Sequence, residues 1–165
     1  MKNLIVYSSV TGNTKKIAEA IAASLPDSEI HTTVSHPAVK EDDSVIVGFW
    51  CDKGHMDEPA LNFIKGSGIK RVALFGTLGG EPKSEQAQNF IKRVLETLPP
   101  DIEVLAIRLW QGKVDPKVLE MMSKMPNARP MTPERKARIE EAAKHPTPQD
   151  CEEAALWAKE ILRLF

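Results

Sequence analysis

What most constrains the fold is a repeated pairing of a short, continuously apolar run with a stretch of helical periodicity. Residues 3–7 (NLIVY), 44–50 (SVIVGFW) and 71–75 (RVALF) lack polar alternation, the pattern of strands buried on both faces. After the first run, Ile17, Ala18, Ile21, Ala22 and Leu25 recur at helical spacing, and Pro26-Asp27 ends that helix. Residues 30–34 read as a weaker, partly polar strand suited to a sheet edge. Residues 58–65 read as a short helix stopped by Gly66-Ser67-Gly68. Beyond Ser84 an amphipathic helix carries Phe90, Ile91, Val94, Leu95 and Leu98 on one face, and residues 102–109 complete a fifth strand. Strands joined by helices imply a parallel sheet covered on both faces by right-handed crossovers. The expected fold is therefore α/β, a doubly wound five-stranded parallel sheet in the order 2-1-3-4-5. A chain of 165 residues suffices for one such domain, with a core that needs no disulfide.

That order has a functional consequence. The winding reverses between strands 1 and 3 and leaves a crevice at the carboxyl ends of the strands. The loops after strands 1, 3 and 4 (residues 8–14, 50–54 and 76–82) converge there, and they are the Gly-rich or polar loops of the chain. The first, SSVTGNT, precedes a helix, whose N-terminus offers unpaired N–H groups and partial positive charge to a phosphate. Hydroxyls of Ser9, Thr11 and Thr14 add donors, and Gly12 lets the backbone approach closely. Lys15 and Lys16 stand at the helix end that disfavours cations, a conflict an anion would relieve. The loop lacks the Gly-Lys-Ser/Thr ending of a P-loop, lacks G-x-G-x-x-G and has no nucleophilic Cys. On the residues alone it is either a phosphate site or a plain helix cap.

Composition narrows the partners. A net charge of −1 gives no basic excess for nucleic acid. No apolar run approaches a membrane span, and a first strand starting at about Lys2 leaves no room for a signal peptide. Cys51 and Cys151 lack metal-ligand spacing, which favours a reduced compartment. The expected location is cytoplasmic, with no nucleic-acid, membrane or metal partner. From Gln111 the strand–helix alternation stops. Asp115-Pro116 opens a helical stretch, residues 126–130 break it, and Thr132-Pro133-Glu134 starts a second helix with Thr as its cap. His145-Pro146-Thr147-Pro148 interrupts again, and a last helix carries Ala154, Trp157, Ala158, Ile161 and Leu162 on its core face. Residues 113–150 thus form a helical insertion before the last helix of a single domain, 1–165, and this connection is long for such a fold.

The words of the first loop resemble those of one family. Tyr7-Ser8-Ser9-Val10-Thr11-Gly12-Asn13-Thr14 after an N-terminal strand is similar to the S/T-x-T-G-N-T phosphate loop of flavodoxins, and the likeness covers the alternating sheet plus the last helix. The resemblance implies noncovalent FMN, with Ser9, Thr11, Gly12, Asn13 and Thr14 around its phosphate and no Lys or Arg in the loop. It makes Trp50, at the end of strand 3, the aromatic stacked on the flavin ring. It places Asp52, Lys53 and Gly54 in the turn near the flavin N5, where Lys53 departs from the family's acidic surroundings and argues against a very low potential. Flavodoxins usually present a Tyr from the loop after strand 4. This chain has one tyrosine, Tyr7, and Thr77, Leu78, Gly79 and Gly80 occupy the region instead, which leaves that ring face covered by backbone or open. The segments WCDKG, FGTLG, QGKVDP and MTPER further resemble a subgroup of anaerobe flavodoxin-like proteins, some of which accompany bilirubin reductase as accessory proteins.

The implied function is electron transfer by FMN to a partner redox protein, a reductase or oxidoreductase, with no catalytic acid, base or nucleophile of the chain's own. Two alternatives remain open on the sequence. One is an FMN-dependent reductase of a small substrate such as a quinone or tetrapyrrole, using the open ring face. The other is a flavin-free accessory module that stabilises a partner enzyme.

Overall fold

Strand alternation sorts the chain's apolar residues into two layers. The computed structural model describes residues 1–165 and holds strands β1 (Asn3–Tyr7), β2 (Ser28–Thr32), β3 (Ser44–Asp52), β4 (His55–Met56), β5 (Arg71–Leu78) and β6 (Glu103–Gln111). Its helices are α1 (Asn13–Ser24), α2 (Glu58–Gly66), α3 (Glu85–Thr97), α4 (Pro116–Ser123), α5 (Pro133–Ala142) and α6 (Pro148–Ile161). The sheet order is β2-β1-β3-β5-β6, all parallel, with the two-residue β4 folded back antiparallel on β3. Leaving β4 aside, this is the expected 2-1-3-4-5 order of a doubly wound sheet. Leu4, Val6, Val45, Val47, Phe49, Val72 and Leu74 point to one face and pack on α2 and α3. Ile5, Ile46, Ala73 and Phe75 point to the other and pack on α1 and α6. Each of these large side chains that is fully buried contributes about 1.5–3 kcal/mol over leaving it exposed.

Three strands run further than their apolar runs predict. β3 reaches Asp52, β5 reaches Leu78 and β6 reaches Gln111, so Gly76, Thr77 and Leu78 lie in a strand rather than in the following loop. The reason is a reciprocal fit between two glycines and two phenylalanines on the central strands. Gly48 lies opposite Phe75 and Phe49 opposite Gly76 in the register. A Cβ added at Gly48 would stand 2.3 Å from the Phe75 ring, and one at Gly76 would stand 2.4 Å from the Phe49 ring. Each ring therefore fills the space of the side chain its neighbour lacks, one on each face, and glycine does not interrupt the strand. β2 begins two residues earlier than its apolar pattern indicates, because Asn3 anchors the chain just before it: its N–H donates to the Asp27 carbonyl at 3.1 Å and its Nδ2 to the Pro26 carbonyl at 2.6 Å.

The insertion between β6 and α6 carries α4, which buries no residue, and α5, which buries only Ala142. Its two ends meet: the Lys113 N–H donates to the His145 carbonyl at 3.2 Å. His145 then sits 2.6 Å from Asp150, which forms a capping box with Thr147 at the start of α6.

The central packing leads to a stability test. Gly48→Ala and Gly76→Ala should each lower stability by about 1–3 kcal/mol through overpacking against the partner ring. Gly66→Ala, where nothing lies within 4 Å of an added Cβ, should not show that penalty. Urea unfolding of the three variants reads the difference.

Candidate functional site

At the end of β1 the chain turns through Ser8–Gly12 into α1. Gly12 adopts φ 90°, a left-handed conformation that favours glycine, and its N–H donates to Ser9 Oγ at 3.1 Å. Every other α-helix is closed by a side chain that accepts from a first-turn N–H: Asp57, Ser84, Asp115, Thr132 and Thr147. Helix α1 has no side-chain cap. Its first-turn amides face the loop with the partial positive charge of the helix end behind them. Neither lysine answers that field: Lys16 Nζ donates to the Pro146 carbonyl at 2.8 Å, and Lys15 Nζ lies 3.9 Å from Glu19.

The loop residues divide by direction. Ser9 is half-buried, and Thr11 and Gly12 are exposed at the rim. Thr14 is 1% exposed; its hydroxyl donates to the Phe49 carbonyl at 3.3 Å and lies 2.9 Å from Thr77 Oγ1. That hydroxyl pins α1 to the sheet, so Thr14 meets the loop opening through its backbone N–H. Asn13 Nδ2 donates to the Lys113 carbonyl at 2.8 Å and fills the space beside Gly112, where an added Cβ would meet it at 2.5 Å. Asn13 therefore ties the first loop to the start of the insertion.

Below α1 a row crosses the sheet end: Trp50 lies opposite Thr77, and Thr77 opposite Trp110. The indole N–H groups of Trp50 and Trp110 are both buried without an acceptor. Trp110 makes an edge contact with Trp157 at 5.7 Å between centroids and lies under the Arg108 guanidinium at 4.8 Å. A buried donor left unpaired costs about 1–3 kcal/mol, so both indoles mark places where an acceptor is expected, and both residues are register neighbours of Thr77, which meets Thr14.

Past Trp50, β3 continues through Cys51 and Asp52 and reverses at Lys53 (φ 51°) and Gly54 (φ 82°) into β4. Two positive φ angles between antiparallel strands make a type I′ hairpin, the turn whose twist matches the strands. Gly54 takes that conformation freely, whereas Lys53 costs about 1 kcal/mol. The tip is braced from α3, where Arg93 Nε donates to the Gly54 carbonyl at 2.7 Å. Across a cavity of about 400 Å³ lie Leu78, Gly79 and Gly80. The Leu78 carbonyl accepts from the Gly112 N–H at 2.8 Å, the Gly79 carbonyl from Gln111 Nε2 at 3.3 Å, and Val114 packs where a Gly79 side chain would lie.

The sequence reading missed two residues here. Asp57 is fully buried and accepts from the Trp50 N–H at 2.9 Å and the Ala60 N–H at 3.2 Å. Burial pushes its carboxyl above the ordinary value of 3.8, a rise that hydrogen bonds from Ser8, Trp50 and Ala60 oppose. The signal for Asp57 was available, since Asp-Glu-Pro is a helix start. Nothing in the sequence marked Arg93.

With this geometry in view, the comparisons are specific. The family model for the flavodoxin domain matches residues 4–159. The chain belongs to the flavodoxin family. It is 32% identical to the flavodoxin-like domain-containing protein BilS of Clostridioides difficile (strain CD3), with 98% of this chain and 97% of that one covered. It is 30% identical to BilS of Clostridium symbiosum (strain WAL-14163), with 91% and 90% covered. Among solved structures, a flavodoxin from the domain Archaea superposes with a TM-score of 0.54 at 20% identity, covering 98% of this chain and 96% of that one. This flavodoxin-like fold is an FMN-binding one, and membership supports FMN as the cofactor. The residues fit the phosphate of that group: the uncapped α1 end offers unpaired N–H groups, with no lysine ammonium directed at it.

Asp57 supplies a pH test. Its folded pKa lies above its unfolded one, so the native state holds the proton more tightly and stability falls as pH rises between the two values. Urea unfolding should show wild-type stability, relative to Asp57→Asn, declining as pH rises upward from 3.8 and levelling once Asp57 is ionised. A constant difference would mean that burial does not perturb this carboxyl.

Proposed function

We propose that this chain binds FMN at the carboxyl end of its sheet and carries electrons to a partner redox protein in the cytoplasm. One observation carries the reading: α1 alone lacks a side-chain cap, and the buried Trp50 indole beside it lacks an acceptor. In this reading the Ser9 and Thr11 hydroxyls, the backbone N–H groups of Asn13 and Thr14, and Trp50 Nε1 hold the phosphate, with Gly12 shaping the turn and its N–H orienting Ser9 Oγ. Asp52, Lys53 and Gly54 on one side and Thr77, Leu78, Gly79 and Gly80 on the other border the flavin ring. FMN, when bound, supplies one- and two-electron transfer; the chain supplies binding, orientation and control of access. This reading gives Trp50 a hydrogen bond to phosphate in place of ring stacking, and it is supported by strand alternation, by which Trp50 shares a sheet face with Ile46, whose cluster packs on α1.

The match to BilS proteins over nearly the whole chain supports placement among the accessory flavodoxins to which the loop segments point. No helix is long and apolar enough to cross a membrane, which is compatible with a diffusing carrier. A second reading, an FMN-dependent reductase of a small substrate, is favoured by the cavity between the hairpin and α3.

Two measurements test these readings. The apoprotein should bind FMN with quenching of flavin fluorescence, and bound FMN should not be reduced quickly by NAD(P)H alone; rapid reduction would favour the reductase. Trp50→Phe keeps an aromatic ring and removes the N–H. It should weaken FMN by about tenfold or more, as expected for a hydrogen bond to a charged group, and leave riboflavin affinity nearly unchanged. Equal losses for both ligands would return Trp50 to ring stacking.

A further inference from the structure

Four of the six methionines lie within residues 121–131, and Met121, Met122, Met125 and Met131 are each between 44% and 59% exposed. Val118, Met121, Met122 and Met125 recur at helical spacing, so α4 and the turn after it carry an apolar face outward. The domain itself gives that face no cover, since α4 buries no residue. A helix of eight residues is also too short to be stable alone in water, where about 12–15 are needed even for good helix formers. Charge is segregated onto the same segment. Residues 117–138 hold six Lys/Arg and two Asp/Glu, a net +4, whereas the whole chain has −1 and the remaining residues therefore have −5. An outward apolar face inside a basic surround is complementary to an apolar patch with an acidic rim. A lipid surface fits less well. Residues 113–147 contain no Trp, Tyr or Phe to anchor a helix at a bilayer interface, and Pro126, Pro130 and Pro133 cut the segment into short pieces. Methionine is instead the side chain that adapts to irregular protein surfaces.

The segment is rooted beside the first loop. Both ends of the insertion are tied to α1, Lys113 by Asn13 and Pro146 by Lys16. Helix α4 starts at Pro116, so at about 3.3–3.6 Å per residue it begins within about 11 Å of the Asn13 contact. We propose that the methionine face of α4 and the basic residues around it dock an acidic redox protein through an exposed apolar patch on that partner, and so hold it at the carboxyl end of the sheet. The recruiting role rests on the carrier reading above; the docking surface rests on the methionine face and the charge alone.

The test is NMR titration of the isotope-labelled chain, with and without FMN, against two haem proteins: the soluble domain of cytochrome b5, acidic around an exposed haem edge, and the basic cytochrome c. Cytochrome b5 should shift the amide signals of residues 117–138, with an affinity that falls about tenfold or more between about 50 and 200 mM salt, and cytochrome c should not shift them. Replacing Lys117, Arg129 and Arg138 together by Glu should abolish the shifts. Met121→Ser combined with Met122→Ser should weaken binding about fivefold or more and leave its salt dependence unchanged. All five side chains are exposed, so signals from the sheet and from α1 should not move in either variant. Shifts that map elsewhere, that survive the charge reversal or that favour cytochrome c overturn the proposal. Loss of the α4 signals onto phosphatidylglycerol vesicles would make the face a membrane anchor, and shifts on concentrating the chain alone would assign it to a second copy; either result overturns it too. A chain that shows the expected shifts but binds no FMN would sink the flavin reading and leave the docking surface standing.

Discussion

The site depends on one buried hydroxyl pair. Thr14 donates to the Phe49 carbonyl and meets Thr77 across the sheet end, and this is what holds the first turn of α1 against β3 and β5. A helix with no side-chain cap gives up about 1 kcal/mol at its N-terminus. Such an end stays in place only if something else fixes it, and here it is fixed from below, by the side chain of the second residue of the helix. The arrangement leaves the outer face of that turn free for a ligand. It also explains why a threonine rather than a serine suits position 14: the methyl group packs in a region that is 1% exposed while the hydroxyl bridges two strands.

The second constraint lies in the central strands. Gly48 under Phe75 and Gly76 under Phe49 let β3 and β5 stay paired to Trp50 and Thr77, which puts those two residues side by side below α1. Had either strand stopped where its apolar run ends, Thr77 would belong to a loop, and the Thr14 contact would rest on a mobile partner. The core packing and the site are thus one problem. The rings that fill the sheet's glycine gaps also carry the strands far enough to reach the helix.

This coupling shows which parts of the molecule were legible in the sequence. Strand order and layer assignment were, because runs such as VIV at 45–47 and VAL at 72–74 are buried on both faces and leave few alternative topologies. The convergence of the three loops followed from that order. Strand ends were not legible, since glycine reads locally as a break and only the register shows a neighbouring ring filling it. Side-chain direction was equally hidden. Thr14 and Asn13 both belong to the loop motif, yet one hydroxyl faces the sheet and one amide faces Lys113, choices made by residues 35 to 100 positions away. Arg93 could not be singled out, because its bond to the Gly54 carbonyl spans 39 positions and exists only once the hairpin lies against α3.

The insertion follows the same logic. Two of its bonds reach the α1 region directly, from Asn13 to the Lys113 carbonyl and from Lys16 to the Pro146 carbonyl. The second resolves the apparent conflict of lysines at a helix N-terminus: the Lys16 ammonium is directed to a carbonyl of the insertion. A phosphate at α1 would then be held by amides, hydroxyls and an indole rather than by ammonium groups. Such binding depends on geometry more than on long-range attraction, since directed N–H groups lose their worth with small displacements while a point charge does not. The insertion's base, closed by the Lys113–His145 bond and anchored through His145 to the start of α6, supplies rigidity to that geometry. Its helices α4 and α5 stay almost wholly unburied, so the structural contribution of residues 113–147 is concentrated near the first loop and the start of α6.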